Sequence, residues 1–371
     1  MVDVIVLGMG VAGEEAAGHL AEAGLTVLGI ENQLVGGECP FWGCIPSKMM
    51  IRAANAVAEA RRVNELAGHV TMDFDWALVA RRIREEATDN WDDTVGVRRF
   101  TDKGGRFVRG FGRFVGPRRI EAGGEVFEAR VGIVVSTGTK AAVPPIEGLA
   151  GTPYWTNREA IELEELPRSL IVLGGGSIGV ELGQMFSRFG VEVTLVEALD
   201  RLVALEEPES SELVTAALRA DGAKVHTGVR VERVEHGPDG FRVHLADGPP
   251  LTAEKVRVAA GRRAQLDHLG LEAAGLDPHQ RFLPVDDRMR VTDGIWAAGD
   301  VTGHGAFTHV AIYQARIVVR GILGQTDLPC PPEVVCEMAG GAASRELAGG
   351  ELAKAPAGTD LLTPPGGSGR A

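Results

Sequence analysis

At 371 residues and a net charge of −13, the chain has room for two or three domains of about 150 residues each, and it is too acidic to suit nucleic acid or an anionic membrane surface. Hydrophobic residues make up 44%, as in ordinary globular chains, and no apolar run reaches the ~18 residues of a membrane span. No cationic leader followed by an apolar core opens the sequence, so no export signal is expected; four cysteines then fit a reducing, cytoplasmic setting, where a close pair is catalytic or metal-binding rather than structural.

The first element is an almost continuously apolar run, Val2-Asp3-Val4-Ile5-Val6-Leu7, which predicts a parallel strand covered on both faces. It enters Gly8-Met9-Gly10-Val11-Ala12-Gly13, a helical pattern to about Gly24, and a second strand over residues 26–30 that ends on Glu31. This is a βαβ unit with a dinucleotide fingerprint. The first glycine permits the tight turn, the second lets backbone approach a pyrophosphate, and the third lets helix and strand pack. The helix N-terminus offers free N–H groups to the phosphates, and Glu31 falls where an acid meets a ribose hydroxyl, about 20 residues on.

Next comes Gly36-Gly37-Glu38-Cys39-Pro40-Phe41-Trp42-Gly43-Cys44-Ile45-Pro46-Ser47-Lys48. Lys48 follows Cys44 by one helical turn and so shares its face, where an ammonium favours the reactive thiolate. The pattern reads as a redox-active pair that takes electrons from a flavin. A zinc half-site or two inert thiols is the alternative; zinc wants about four ligands, and no partner pair at short spacing stands out, so no metal is expected.

Residues 45–68 and 73–100 are predicted helical, the latter with a solvated run of Arg81, Arg82, Arg84, Glu85 and Glu86. Short strands with glycine turns are predicted over 106–135, including Gly110-Phe111-Gly112. They lead to Gly132-Ile133-Val134-Val135-Ser136-Thr137-Gly138-Thr139, and Pro144-Pro145 then marks a crossing. A second βαβ unit follows: strand 170–173, loop Gly174-Gly175-Gly176-Ser177-Ile178-Gly179, a helix to about Phe189, and a strand over 191–196 that ends on Glu197. Two fingerprints with the same internal spacing imply two dinucleotides. A carboxylate at Glu197 accepts from a ribose 2′-hydroxyl and repels a 2′-phosphate, which favours NADH over NADPH, with Arg201 as the nearby cation acting against that preference. Residues 223–260 are predicted as a small β-meander, followed by Gly261-Arg262-Arg263. Thr292-Asp293-Gly294-Ile295-Trp296-Ala297-Ala298-Gly299-Asp300 is a strand ending in an acid, and Ala306-Phe307-Thr308-His309 opens a helix to about Leu323.

The cysteine stretch resembles the active-site motif of the pyridine nucleotide–disulfide oxidoreductases, the flavoproteins that include dihydrolipoamide dehydrogenase, glutathione reductase and mercuric reductase. The run Cys44-Ile45-Pro46-Ser47-Lys48-Met49-Met50-Ile51-Arg52-Ala53-Ala54 is most similar to the mercuric reductase branch. The resemblance covers about residues 1–325. It implies an α/β fold of two Rossmann-like three-layer domains, the second inserted in the first: FAD-binding segments at 1–146 and 262–325, and an NAD-binding domain at 147–261. It implies FAD on the first fingerprint, with contacts from Gly8, Gly10, Val11, Ala12, Gly13, Glu31, Gly36, Gly37, Lys48, Gly112, Thr137, Gly138, Thr139, Asp300, Ala306, Phe307, Thr308 and His309. It implies a nicotinamide dinucleotide on the second, with Gly174, Gly176, Ser177, Ile178, Gly179, Glu197, Val231 and Gly261. Cys44 becomes the flavin-facing thiol, Cys39 the interchange thiol of a Cys39–Cys44 disulfide, and Glu181 the partner of Lys48. The helix after residue 306 would point its positive end at the flavin.

Family members carry a further interface domain that forms a homodimer and supplies a His–Glu pair to the partner's thiols. That pattern is missing here. No Phe, Trp or Tyr follows Tyr313, and residues 326–371 are expected to be a truncated or frame-shifted, disordered tail, so the usual dimer is not expected. Cys330 and Cys336 are read as accidental rather than as a metal-handling pair. Phe41 and Trp42 are expected to shield Cys39 and slow large disulfides. The sequence reading is an NAD(P)H-dependent oxidoreductase passing electrons through FAD and Cys39–Cys44 to a small acceptor, with no membrane or nucleic-acid partner. A diaphorase or quinone reductase working directly from flavin, and a catalytically silent flavoprotein, are the alternatives.

Overall fold

The computed structural model describes residues 1–325 of the chain, so the readings made for 326–371, including Cys330 and Cys336, lie outside the described residues. The first elements are β1 (Val2–Leu7), α1 (Val11–Glu22), β2 (Val27–Glu31), the one-turn α2 (Glu38–Phe41), α3 (Cys44–Leu66), α4 (Trp76–Arg82), α5 (Thr94–Thr101), β3 (Arg106–Arg109), β4 (Arg113–Gly116), β5 (Arg119–Ala122), β6 (Glu125–Val135) and β7 (Lys140–Ala141). All six residues of β1 are buried, as a strand covered on both faces requires. The sheet runs β16-β17-β6-β1-β2-β3 once the late strands β16 (Arg290–Thr292) and β17 (Ile295–Ala297) join it. The inner pairs are parallel, and β16 closes one edge antiparallel. The long β6 serves two sheets, pairing with β5 at its start and with β1 and β17 at its end.

Between β7 and β16 the chain builds a second parallel sheet. Its elements are α6 (Asn157–Ile161), β8 (Ser169–Leu173), α7 (Ser177–Arg188), β9 (Glu192–Val196), α8 (Pro208–Ala220), β10 (Lys224–His226), β11 (Val231–Gly237), β12 (Gly240–Leu245), β13 (Leu251–Ala253), β14 (Lys255–Val258) and β15 (Arg262–Arg263). The strand order is β10-β9-β8-β14, with β11-β12-β13 as a separate antiparallel sheet. Two Rossmann-like units, one inserted in the other, therefore make up the fold. A two-residue ribbon, β7 with β15, holds the two crossings side by side. The last helix, α9 (Thr308–Ile322), packs on α1.

Three expectations shift. The meander predicted over 223–260 is only its middle; β10 and β14 at its two ends are parallel strands of the main sheet. The helix predicted over 73–100 starts at Trp76 and is interrupted, because the backbone passes through a wide turn at Ile83–Ala87 and then adopts positive φ at Asp89, Asn90 and Trp91 before α5. The strand leading to Asp300 stops at Ala297, and α9 begins at Thr308 rather than at Ala306.

Candidate active site

The two fingerprints fold into the same device. At Gly8 (φ +92°) and Gly174 (φ +115°) a Cβ would strike the carbonyl of the adjoining strand end, Ser136 O at 2.5 Å and Ala259 O at 2.4 Å. At Gly13 and Gly179 it would strike the carbonyl of that first glycine, at 1.9 and 2.1 Å. The second glycines, Gly10 and Gly176, face space: the nearest atom to a Cβ on Gly10 is 3.9 Å away, and nothing lies within 4 Å of one on Gly176. Both acids are seated identically. Glu31 accepts from Met9 N and Gln33 N, each at 2.8 Å; Glu197 accepts from Gly175 N at 2.6 Å and Leu199 N at 2.8 Å. Each carboxylate thus braces its own loop and keeps lone pairs for a ribose. Val231 begins β11, just past the His226–Val229 segment that bonds the Glu197 backbone.

Residues fit for an adenine dinucleotide line the first unit. A cavity of about 90 Å³ is bounded by Gly8, Glu31, Gly112 and Thr137, and the Thr137 hydroxyl is buried there without a partner. Thr139 donates to Asp300 Oδ2 at 2.8 Å, and Arg262 donates to both Thr139 Oγ1 (2.8 Å) and Thr139 O (2.7 Å). Gly138 (φ +64°) turns the chain between these two threonines, and Gly261 (φ +103°) turns it before Arg262.

The loop carrying the cysteines is fastened from both units. Gly36 N donates to Met9 O at 2.7 Å, and Gly37 passes so near Gly10 that a Cβ would sit 2.9 Å from its Cα. On the other side, α6 grips it. Arg158 donates to Glu38 and to Gln33 Oε1 (2.7 Å), and its guanidinium lies 4.1 Å from the Trp42 ring centroid. Trp42 Nε1 donates to Glu162 Oε1 at 2.6 Å, and Asn157 donates to Glu38 Oε2 and Trp42 O, each at 2.9 Å. Trp42 is buried under this grip, and Phe41 is buried beside it, with ring centroids 5.9 Å apart. Sequence reading missed the partners Arg158, Asn157 and Glu162; the Thr156-x-x-Glu159 capping box that starts α6 was the legible part of that signal.

Cys39 is half-buried and Cys44, the first residue of α3, is exposed; the structure holds both as thiols, the reduced form of the expected disulfide. The hydrogen bond between the two sulfurs acts in opposite senses. It lowers the Cys44 thiol to about 6, helped by Thr308 and, more weakly, by the Lys48 ammonium, while burial opposes it. The same bond, together with burial, pushes the Cys39 thiol up. Of the two sulfurs, Cys44 is the one whose ionisation is favoured and Cys39 the one whose ionisation is opposed. Lys48 lies one turn along α3 and pairs with Glu181 on α7 at 2.5 Å, which ties the cysteine helix to the second fingerprint helix. At the N-terminus of α9, Phe307 is exposed and stacks on His309, with ring centroids 5.6 Å apart, and Ala306 precedes them in the exposed turn.

Beside Pro40 and Phe41 opens a larger cavity, about 550 Å³, whose walls include Val11, Ile312, Glu14 and Asp92. Among the described residues no cluster of three or more His, Cys, Asp or Glu is arranged to hold a metal ion, and no helix is long and apolar enough to cross a membrane.

A family model described as pyridine nucleotide-disulphide oxidoreductase matches residues 2–315. The chain belongs to this family. Similar relatives include the dihydrolipoyl dehydrogenase of Thermus scotoductus, 34% identical over 343 residues, covering 88% of this chain and 72% of that protein. The mercuric reductase of Bacillus cereus is 32% identical over 339 residues, and the match covers 90% of this chain but only 53% of the relative. Among solved structures, the HOCl-induced flavoprotein disulfide reductase RclA from Escherichia coli superposes with a TM-score of 0.79 at 29% identity, covering 89% of this chain and 73% of that one. LpdA from Mycobacterium tuberculosis gives 0.78 at 27% identity. In this family of FAD-binding oxidoreductases the two glycine cradles and the cysteine pair of this chain have their chemical setting.

Proposed function

We propose that the protein is an NADH-dependent flavoprotein disulfide oxidoreductase, with FAD on the first fingerprint and the nicotinamide dinucleotide on the second. In this reading the Cys39–Cys44 pair hands electrons to a small acceptor. The observation that carries it is the cysteine pair, both sulfurs within reach of the Thr308 hydroxyl, on a loop fastened to both nucleotide units. Bound FAD supplies a two-electron carrier between the nicotinamide and the sulfurs. Cys44, charged and at the head of α3, is the sulfur suited to face that carrier, and Cys39 is the one suited to meet the acceptor. Lys48 holds positive charge beside Cys44, and Glu181 fixes its position. Thr137, Thr139, Asp300 and the loops at Gly10 and Gly37 fit the first dinucleotide. Glu197 supports the choice of NADH, since its seated carboxylate repels a 2′-phosphate. The names of the relatives point to two acceptor classes, a mercuric ion and, with the reaction run towards reduction, the disulfide of a lipoyl group, and a small acceptor of either kind reaches a half-buried thiol.

The test is anaerobic titration of the FAD-loaded protein with NADH. Loss of visible flavin absorbance and appearance of two new thiols at Cys39 and Cys44 is the expected result. The absence of both bleaching and new thiols would leave a silent nucleotide-binding protein. Cys39→Ser addresses the diaphorase alternative: transfer to quinones survives that change in a diaphorase, whereas the proposed disulfide route loses thiol–disulfide turnover.

A further inference from the structure

Thr308 sits between the two sulfurs. Its hydroxyl donates to Cys39 Sγ at 3.3 Å and lies 3.6 Å from Cys44 Sγ. It is the first residue of α9, and its hydroxyl has no other bond among the described residues. A hydroxyl carries one proton and two lone pairs, so it can donate to only one sulfur at a time and can turn to either.

We propose that the Thr308 hydroxyl is a donor shared by the two sulfurs, already bonded to Cys39 and able to turn to Cys44, that stabilises whichever sulfur holds the negative charge and so makes Cys39 a competent nucleophile at the moment of acceptor reduction. This rests on the proposed function of the pair, and it adds a catalytic residue that contacts the reacting atoms. The step is a proton transfer only. Cys39–SH gives its proton to the Cys44 thiolate across the bond between the sulfurs, leaving Cys39–S⁻ and Cys44–SH, with no change in oxidation state. Cys39 resists ionisation in the resting arrangement, because its proton is held against Cys44 and it is half-buried. A donor already within reach offsets that resistance without bringing in a new charge.

The other charged or titratable groups around the pair are already placed. Lys48 is paired with Glu181, Glu38 is held by Arg158 and Asn157, and the His309 ring stacks on Phe307. Among the described residues none of these is hydrogen-bonded to either sulfur, whereas Thr308 reaches both.

The experiment uses the full chain, reduced and desalted, with no nucleotide added. Each cysteine's alkylation by iodoacetamide is followed against pH, resolved by peptide mass. In the wild type the Cys44 rate is expected to follow an inflection near pH 6. Thr308→Val keeps the shape and removes the hydroxyl; it is expected to raise that inflection by about one pH unit and slow Cys39 alkylation at neutral pH about tenfold. Thr308→Ser is expected to restore both to within about twofold. An unchanged Cys39 rate and Cys44 inflection in Thr308→Val would overturn the proposal. So would a Thr308→Ser variant that behaves like valine, since that points to packing rather than the hydroxyl. Because no electron donor is present, failure here leaves the NADH titration result untouched, and the two readings fall separately.

Discussion

A thiol reacts in proportion to its thiolate fraction, and at Cys44 the causes of ionisation can be ranked. The bond from Cys39 comes first, Thr308 follows, and the Lys48 charge acts last, against the burial that opposes all of them. The Lys48–Glu181 pair is largely exposed, at 59% and 42%, and exposed pairs contribute at most about 1 kcal/mol. Lys48→Met should therefore raise the Cys44 alkylation inflection by less than about half a pH unit, a smaller shift than Thr308→Val gives; a larger shift would mean that the ammonium, and not the hydrogen bonds, sets the thiolate. At the second fingerprint the proposed choice of NADH rests on Glu197. Glu197→Gln keeps an acceptor for Gly175 N or Leu199 N and removes the charge. The ratio of NADH to NADPH affinity should fall about tenfold, or ~1.4 kcal/mol, by direct binding measurement. An unchanged ratio would place the discrimination elsewhere.

At the level of elements, the structure distinguishes strands that hold the fold from contacts that hold the site. Asp3 on β1 accepts from Thr26 N at 2.8 Å and Thr26 Oγ1 at 2.6 Å, and pairs with Arg130, which joins three consecutive parts of the first sheet. The Thr26 bonds, with Arg130 behind them, hold the Asp3 carboxyl below its usual range. A carboxyl whose folded value is depressed stabilises above its unfolded value and loses that stabilisation as pH falls through the folded one. Asp3→Asn should therefore lower stability at pH 7, and the gap to wild type should close below about pH 4, as denaturant melts at several pH values would show. On β14 the opposite case arises. Arg257 is wholly buried; among the described residues its one hydrogen bond is to Ile178 O at 3.3 Å, and its Nε and second terminal nitrogen have no partner; burial alone pulls it down to about 10. Replacing such a group by an apolar one of similar volume removes the desolvation cost, so Arg257→Met should stabilise by roughly 1–3 kcal/mol in urea unfolding. A loss of stability there would mean that the guanidinium is already compensated in the folded chain, as by a buried water. These contacts also mark the limit of what the sequence displays. Glycine trios, apolar strands and terminal acids are local, and they place both cradles and the Cys44–Lys48 turn directly. The grip of Arg158 on Glu38 and Trp42 joins residues some 120 positions apart, and no period or spacing announces it. Arg257 reads as one more surface arginine in Lys255-Val256-Arg257-Val258, because alternation alone does not reveal that helix α7 covers the other face. The break at residues 88–91 was hidden for a related reason: Asp89, Asn90 and Trp91 adopt positive φ without a glycine to signal it.

For the whole molecule, charge is the property that reaches furthest. The chain carries −13 overall, and the cavity beside the cysteine loop has Glu14 and Asp92 on its wall, with Arg99 already bound to Glu14 and Lys103 to Glu22. An acceptor diffusing towards Cys39 therefore meets a negative field, which speeds cations, slows anions and weakens as salt is added. Two small disulfides of similar size and opposite charge, cystamine and dithiodiglycolate, separate this effect from steric access. The expected result is a higher kcat/KM for cystamine at low salt. Raising ionic strength from about 0.01 to 0.15 M should lower the cystamine value several-fold and raise the dithiodiglycolate value, so that the two converge. Parallel salt responses would show that the field at the mouth of the site is set by groups nearer the sulfurs than by the acidic surface, with Lys48 the cation to test next.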